Sequence, residues 1–259
     1  MAASTHAWYF TKSDLMKPVR EGGTEWEGAV KHRRDMFIFV ATVGLKLQLP
    51  QLIQSTCEVY FHRFFARRDF LDHDLHVIAT ACLFLAAKVE EVHRKLKDVL
   101  RFSYEFQYNE RLEIDSDKYN NFKKQVLVAE RLILQTIAFD LTVEHPYRFL
   151  QEHVALVQCT SEQRKDLMQM AWSFVNDSFA SAVCLQFRPQ LIAAAAIYLA
   201  AKNKKIELKS GGDKEWWQAA NINLDELESS TSQMLEAYPQ DSKEGVMSGG
   251  QQTAPSASV

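Results

Sequence analysis

Charged side chains that could carry chemistry form only two dense groups in this sequence. Residues 72–76 read Asp-His-Asp-Leu-His, the densest set of metal-ligating types, but they stand directly before an apolar helical segment. We therefore interpret them as a polar loop in which Asp72 or Asp74 caps that helix. Glu90 and Glu91 are adjacent carboxylates. Neighbours on a helix point about 100° apart, so these two do not face each other as an acid–base pair.

Motifs of known catalytic chemistry are missing from the sequence. None of its glycine pairs begins a phosphate-binding loop, and neither the HExxH motif of zinc proteases nor the GxSxG motif of serine hydrolases occurs. The four cysteines lie far apart without a CxxC pair, which favours reduced thiols over a metal site. We predict a protein that is not an enzyme and that holds no cofactor and no metal.

Two single charged residues are more informative, because they stand at the edges of apolar helices. Lys88 follows a run of small apolar residues at the end of one helix, where the helix dipole alone favours a lysine. Glu130 borders the apolar stripe of a later helix. The two side chains could form a private salt bridge, or they could offer a donor and an acceptor to the backbone of an incoming helix. Both interpretations stay open here.

The segment that ends in Lys88 recurs later in the chain. Residues 85–88 read LAAK, and residues 199–202 repeat it 114 positions further on, within a gapless match of apolar residues. Such self-similarity predicts two copies of one helical unit. The copies differ in charge after LAAK, because the first continues with VEE and the second with NKK.

Composition excludes several classes of protein. The net charge of −3 argues against the strongly basic face of a nucleic-acid-binding protein. No apolar run reaches the roughly 18 residues that a membrane span needs, and the first seven residues lack the apolar core of a secretory signal. With 47% hydrophobic residues and only 9 Gly and 6 Pro in 259 residues, long helices around sizeable cores are expected.

Helical periodicity predicts an all-α chain. We expect an N-terminal arm over residues 1–30 that docks through its aromatic residues 8–10, a first five-helix unit over 31–141, a second over 145–238, and a disordered tail over 239–259. The predicted helices of the first unit are 31–47, one that starts near Pro50, 75–89, 96–102 and 117–137. Those of the second are 146–157, 162–182, 189–202, 214–221 and 224–238. The helix at 31–47 is apolar almost all round, as is typical at the centre of a bundle.

Several long strings resemble those of cyclins, and among them the transcriptional cyclins, cyclin K first and cyclin T next. The strings are WYFTKSDL near the N-terminus, VYFHRFF, LAAKVEE, ERLILQTIAFDLTVEHPYRFL across the link, and QMAWSFVNDS in the second unit. The resemblance covers about residues 8–238 and implies two tandem five-helix cyclin boxes. One departure is that Val92-His93 stand where transcriptional cyclins commonly carry Thr-Pro, so the turn after LAAKVEE differs in sequence from theirs.

The resemblance also implies a kinase-binding site on the first unit. By position in the family, Lys88 and Glu130 would hydrogen-bond the kinase backbone. The remaining members of the implied kinase-binding set are Val89, Glu91, Leu134, Phe139 and Leu141. Arg33 lies where cyclins place an arginine that is paired internally, so we expect a structural role for it.

The implied function is that of a regulatory subunit. It would form a 1:1 heterodimer with the catalytic subunit of a cyclin-dependent kinase and activate phosphorylation of the RNA polymerase II C-terminal tail during elongation, in the nucleus, without contacting nucleic acid or membrane. Two alternatives stay open. One is a cyclin-fold transcription factor of the B type that binds DNA. The other is an adaptor for a non-kinase partner, with Trp216 and Trp217 as a candidate surface.

Overall fold

The part of the protein that the structure describes is mostly helical, which confirms the all-α prediction. The computed structural model describes residues 8–17, 21–210, 215–236 and 238, so the predicted tail at 239–259 lies outside the described residues. The helices are α1 (Lys12–Met16), α2 (Trp26–Lys46), α3 (Gln51–Phe65), α4 (Leu75–Val89), α5 (Leu96–Tyr108), α6 (Asp117–Thr136), α7 (Tyr147–Ala155), α8 (Ser161–Ser178), α9 (Pro189–Lys204), α10 (Trp216–Ala219) and α11 (Leu224–Glu236). Single 3₁₀ turns cover Phe70–Asp72 and Ala182–Leu185.

Two very short strands add a small ladder that periodicity did not reveal. Strand β1 (Val157–Gln158) pairs antiparallel with β2 (Lys209–Ser210), and Gln158 lies opposite Lys209. A two-residue strand is too short to show alternation, so its sequence carries no strand signal. The chain divides into two compact units, with the change between Val143 and Glu144.

Helix α4 is the centre of the first unit. It packs against α2, α3, α5 and α6, and its alanines are fully buried, which lets the neighbouring helices approach closely. Its N-terminus is capped by Asp74, whose carboxylate accepts hydrogen bonds from the backbone N–H groups of His76 and Val77. The cap predicted for Asp72 or Asp74 is therefore confirmed for Asp74.

Helix α2 does not occupy the centre that its composition suggested, and that prediction is wrong. It begins at Trp26, five residues before the predicted start, and it exposes 48% of Ile38 on its outer face. Surface apolar residues are common, so an all-round apolar helix does not prove burial on every side. Helix α5 also runs further than predicted, to Tyr108, because Ser103 and Tyr104 still pack inward.

Arg33 has the structural role expected of it. It is buried on α2, and its Nη1 lies 2.6 Å from His62 Nδ1 on α3. Its guanidinium also lies 5.2 Å from the centre of the Phe70 ring. These contacts tie α2 to α3 inside the first unit.

Helix α9 is the centre of the second unit and the counterpart of α4. It packs against α7, α8 and α11, and residues 193–196, all alanine, are fully buried. The repeat found in the sequence maps onto these two central helices, since each of them carries LAAK in its last turns. Even the turns that follow correspond, because Glu91 and Lys205 both have left-handed backbone, with φ of 57° and 55°.

Candidate docking site

Lys88 and Glu130 form an ion pair that joins α4 to α6. Lys88 lies exposed in the last turn of α4, whereas Glu130 on α6 keeps only 8% of its surface exposed. The Lys88 ammonium also lies 4.4 Å from the centre of the Phe84 ring one turn earlier on α4. The sequence did not single out Phe84, although its spacing of four residues from Lys88 is the usual signal of such a contact.

The ion pair leaves room for a further partner. An ammonium group has three N–H donors, and a carboxylate accepts several hydrogen bonds, so one contact between them exhausts neither group. Because Lys88 is exposed and Glu130 lies beneath it, an incoming backbone has access to the pair from the lysine side. The private salt bridge and the docking pair are thus compatible in one structure.

The two adjacent carboxylates after Lys88 have different surroundings. Glu90 accepts a 2.7 Å hydrogen bond from the Thr56 hydroxyl of α3, so it helps hold the turn. Glu91 is exposed and adopts left-handed backbone, and its N–H donates to the Lys88 carbonyl at 3.2 Å. Val89 beside them is half-buried. Of the two glutamates, Glu91 is therefore the one available to a partner.

Phe139 presents a large apolar side chain at the end of α6. It is 66% exposed, and its φ of 58° lies in the left-handed region, where bulky side chains are uncommon. Its N–H donates to the Leu134 carbonyl at 2.9 Å, which closes the turn. Leu134 and Leu141 are half-buried on either side of it in sequence. An exposed aromatic ring held in such a turn is a candidate contact for a partner.

A layer of contacts from elsewhere in the unit holds residues 139–142 in place. The Trp8 indole N–H donates to Asp140 Oδ2 at 2.8 Å, and the Tyr60 hydroxyl donates to the Leu141 carbonyl at 2.8 Å. Arg63 on α3 donates to the backbone carbonyls of Asp140 and Thr142 at 2.9 and 3.0 Å. Sequence reasoning missed this role. The only signal was an arginine inside the buried VYFHRFF run, since a buried charge needs a partner.

The N-terminal arm docks through Trp8, as predicted for its aromatic run. Only 5% of Trp8 is exposed. The guanidinium carbons of Arg63 and Arg67 lie 5.1 and 4.4 Å from the centre of its ring. This indole therefore contacts Arg63 on α3, Arg67 just after α3, and Asp140, the residue after Phe139.

The cluster at 72–76 is a packing feature. The His73 ring lies 5.1 Å from that of Phe64, and the His76 ring lies 5.2 Å from that of Phe39. Burial lowers the pKa of both histidines, so they favour the neutral form. Within the described ranges, no group of three or more His, Cys, Asp or Glu side chains is arranged to hold a metal ion. None of the helices described has the length and apolarity to cross a bilayer.

The second unit lacks an equivalent of the ion pair in the part of the chain that the structure describes. Lys202, the counterpart of Lys88, lies 5.4 Å from the centre of the Tyr198 ring, but no described carboxylate pairs with it. Trp216 is 1% exposed and meets Trp217 edge-on, so Trp216 belongs to the core rather than to a partner surface. The polar pair and the exposed phenylalanine occur together only in the first of the two units as described.

Two family models match the chain in tandem. Residues 7–142 match the model described as "Cyclin, N-terminal domain", and residues 151–237 match "Cyclin-T2-like, C-terminal domain". Cyclin-T1-3 of Oryza sativa subsp. japonica is 38% identical over 242 residues, covering 90% of this chain and 49% of the relative. Human Cyclin-K is 35% identical over 244 residues, covering 90% of this chain and 41% of the relative. The chain thus spans about half or less of these relatives.

A solved structure shares the fold at lower identity. A chain in the crystal structure of the yeast RNA Pol II CTD kinase CTDK-1 complex superposes with a TM-score of 0.72 and 18% identity, covering 89% of this chain and 73% of that chain.

Proposed function

This chain belongs to the cyclin family, and from that premise we propose that it is the regulatory subunit of a cyclin-dependent kinase that phosphorylates the RNA polymerase II C-terminal tail. The similarity to relatives of the T1 and K types supports the transcriptional branch. The shared fold with a chain of a polymerase-tail kinase complex supports it further. The proposal places the protein in the nucleus, in a 1:1 heterodimer with the catalytic subunit, and assigns it no catalysis of its own.

The observation that carries this proposal is the Lys88–Glu130 ion pair, together with an exposed phenylalanine, Phe139, in the turn after the helix that carries Glu130. A kinase helix that docks here would lay apolar side chains against Phe139 and bring backbone groups to the charged pair. The full proposed contact set is Lys88, Val89, Glu91, Glu130, Leu134, Phe139 and Leu141.

The proposed mechanism is a shift of population. A protein kinase is active only when its Lys–Glu ion pair has formed, which depends on the position of its regulatory helix. A cyclin that binds the inward position of that helix more tightly than the outward one favours the active state. The activation depends on the difference between the two affinities, not on their sum. The charged pair would fix the register, because a misplaced helix leaves Glu130 and Lys88 without their hydrogen bonds.

The test uses single variants with a control that the internal repeat supplies. Glu130→Ala and Lys88→Ala should each weaken kinase binding by about 2 kcal/mol or more. Lys202→Ala removes the equivalent lysine of the second unit and should leave binding unchanged. Each protein is used to capture kinase from nuclear extract, and the captured kinase is assayed on a polymerase-tail peptide. Helical content and thermal melting establish that all three variants are folded.

The outcomes separate the function from the site. The function and the site are both supported if wild type and Lys202→Ala recover the tail kinase while Glu130→Ala and Lys88→Ala do not. If all four proteins recover it equally, the function stands and the site assignment is wrong. If wild type recovers no kinase activity on the tail peptide, the proposed function itself is wrong.

A further inference from the structure

The segment that follows α9 concentrates positive charge that the proposed function does not use. We call residues 202–209 the basic loop, after Lys202, Lys204, Lys205 and Lys209, all of which are exposed. Its single carboxylate, Glu207, pairs with Lys209 at 2.9 Å. The other three lysines have no carboxylate within ion-pair distance among the residues that the structure describes. Among the described residues, three positive charges of the loop are thus not compensated by a carboxylate.

The helix dipole accounts for only part of this charge. Lys202 and Lys204 lie in the last turn of α9, where cations are favoured. Lys205 and Lys209 lie beyond the helix. Lys205 also has a φ of 55°, a left-handed conformation that glycine or asparagine adopts more readily.

The basic loop is anchored at both ends. At its start, the N–H of Ile206 donates to the Ala201 carbonyl at 2.9 Å. At its end, Lys209 pairs with Gln158 in the β1–β2 ladder. Between them, Ile206 and Leu208 are half-buried, whereas Lys205, Glu207 and Lys209 are exposed. The backbone of the loop is thus held before any partner arrives, which lowers the entropic cost of binding.

The corresponding turn of the first unit has the same backbone and the opposite charge. Glu91 and Lys205 occupy equivalent positions of the repeat with nearly equal φ. The first turn reads KVEE and belongs to the proposed kinase contact, while the second reads KNKK. Because the two turns share their backbone geometry but carry opposite charge, the second turn suits a partner that is negatively charged.

We propose that the basic loop is a docking surface for a phosphorylated peptide segment of a partner protein. A phosphoserine carries close to two negative charges and three acceptor oxygens, which suit the N–H donors of clustered ammonium groups. The loop contains lysine and no arginine, so it selects for charge density rather than for bidentate geometry. A short peptide fits better than duplex DNA, because the loop offers only four lysines, fewer than the roughly six to ten phosphate contacts that a DNA-binding protein makes. This surface does not depend on the kinase role.

The experiment measures fluorescence anisotropy of a labelled peptide with three phosphoserines, titrated with the full chain. The test variant is K202Q/K204Q/K205Q. The matched control is K31Q/K46Q/K124Q, which removes three exposed lysines from α2 and α6 of the first unit. We expect the wild type and the control to bind alike and to weaken as salt is added. The loop variant should bind about tenfold more weakly, because it loses the combined binding free energy of three exposed charge contacts. Unchanged thermal melting shows that the loop variant is folded.

Four results would overturn the inference. The first is that the wild type does not bind the phosphopeptide. The second is an equal loss in both triple variants, which would mean that only net charge matters. The third is equally tight binding of a peptide with glutamates in place of the phosphoserines, which would identify an acidic rather than a phosphorylated partner. The fourth is a loop-dependent affinity for duplex DNA that exceeds the affinity for the phosphopeptide.

Discussion

At the scale of single residues, Phe139 shows how a binding role conflicts with local stability. Its side chain is mostly exposed, so it adds little to the core, while its backbone holds a left-handed conformation that disfavours side chains. Both features are unfavourable in the free protein. Binding of a partner that covers the ring would offset both costs.

Two substitutions of Phe139 separate the effect of the exposed ring from the effect of the left-handed backbone. Phe139→Ala should change the free energy of unfolding by no more than about 0.5 kcal/mol, since the ring is exposed. Phe139→Gly should be about 1 kcal/mol more stable than the alanine variant, because glycine adopts positive φ without strain. Both should weaken kinase binding by about 2 kcal/mol. Urea denaturation and kinase capture measure the two effects. A loss of stability above 2 kcal/mol in Phe139→Ala would identify the ring as a core residue instead.

At the scale of elements, the docking residues depend on parts of the chain that make no proposed contact themselves. Trp8 comes before α1, Tyr60 and Arg63 come from α3, and all three bond to residues 140–142. The turn that presents Phe139 is therefore fixed from two other elements. Its geometry is a property of the packed unit rather than of α6.

Removing one of these bonds should weaken docking without touching the docking surface. Tyr60→Phe keeps the buried ring and deletes only the hydroxyl that donates to the Leu141 carbonyl, at a cost of about 1 kcal/mol in stability. Kinase affinity should fall as well, because the 139–141 segment loses a restraint. Tyr104→Phe, a buried tyrosine on α5, is the control and should leave the affinity unchanged. Equal affinities in all three proteins would show that the restraint is irrelevant to binding.

The elements themselves were largely readable from the sequence. The bounds of α4 were predicted as observed, because its alanine-rich run lies between a capping aspartate and a charged turn. The start of α2 was missed because Gly28 disfavours a helix there, although Trp26, Ala29 and Val30 stand at helical spacing. Lys88 and Glu130 were found as charges at apolar edges. The hydrogen bonds that position Phe139 were not predicted, because they join residues such as Trp8 and Asp140, which are 132 positions apart.

At the scale of the whole molecule, the chain contains two copies of one helical unit, and the copies have different surfaces. The central helices α4 and α9 carry the same LAAK ending and the same left-handed turn, so the core and the backbone are shared. The differences lie in the charges after that ending and in the acid on α6 that pairs with Lys88. A repeated unit can change a surface turn freely as long as its buried face is kept.

The stability of the molecule should also depend on pH through a buried carboxyl group. Glu58 on α3 is 2% exposed, and neither of its carboxyl oxygens has a hydrogen-bond partner among the described residues. Burial raises the pKa of Glu58 well above its usual range, against the opposing effect of the Arg33 guanidinium. An unfolded glutamate has a pKa of about 4.3. Above that pH the unfolded chain releases a proton that the folded chain retains, so stability is lost as the pH rises toward the folded pKa.

Glu58→Gln removes this titration and keeps the side-chain volume. The gain in melting temperature of the variant over wild type should be small near pH 5 and should widen toward pH 8. Burial lowers the pKa of His73, His76 and His153, which has the opposite effect, a loss of stability as the pH falls below about 6.5. Because both proteins contain these histidines, the difference between their melting curves isolates Glu58. Exposed Glu113→Gln should show no such trend, and a gap for Glu58→Gln that stays constant with pH would mean that Glu58 is ionised in the folded protein.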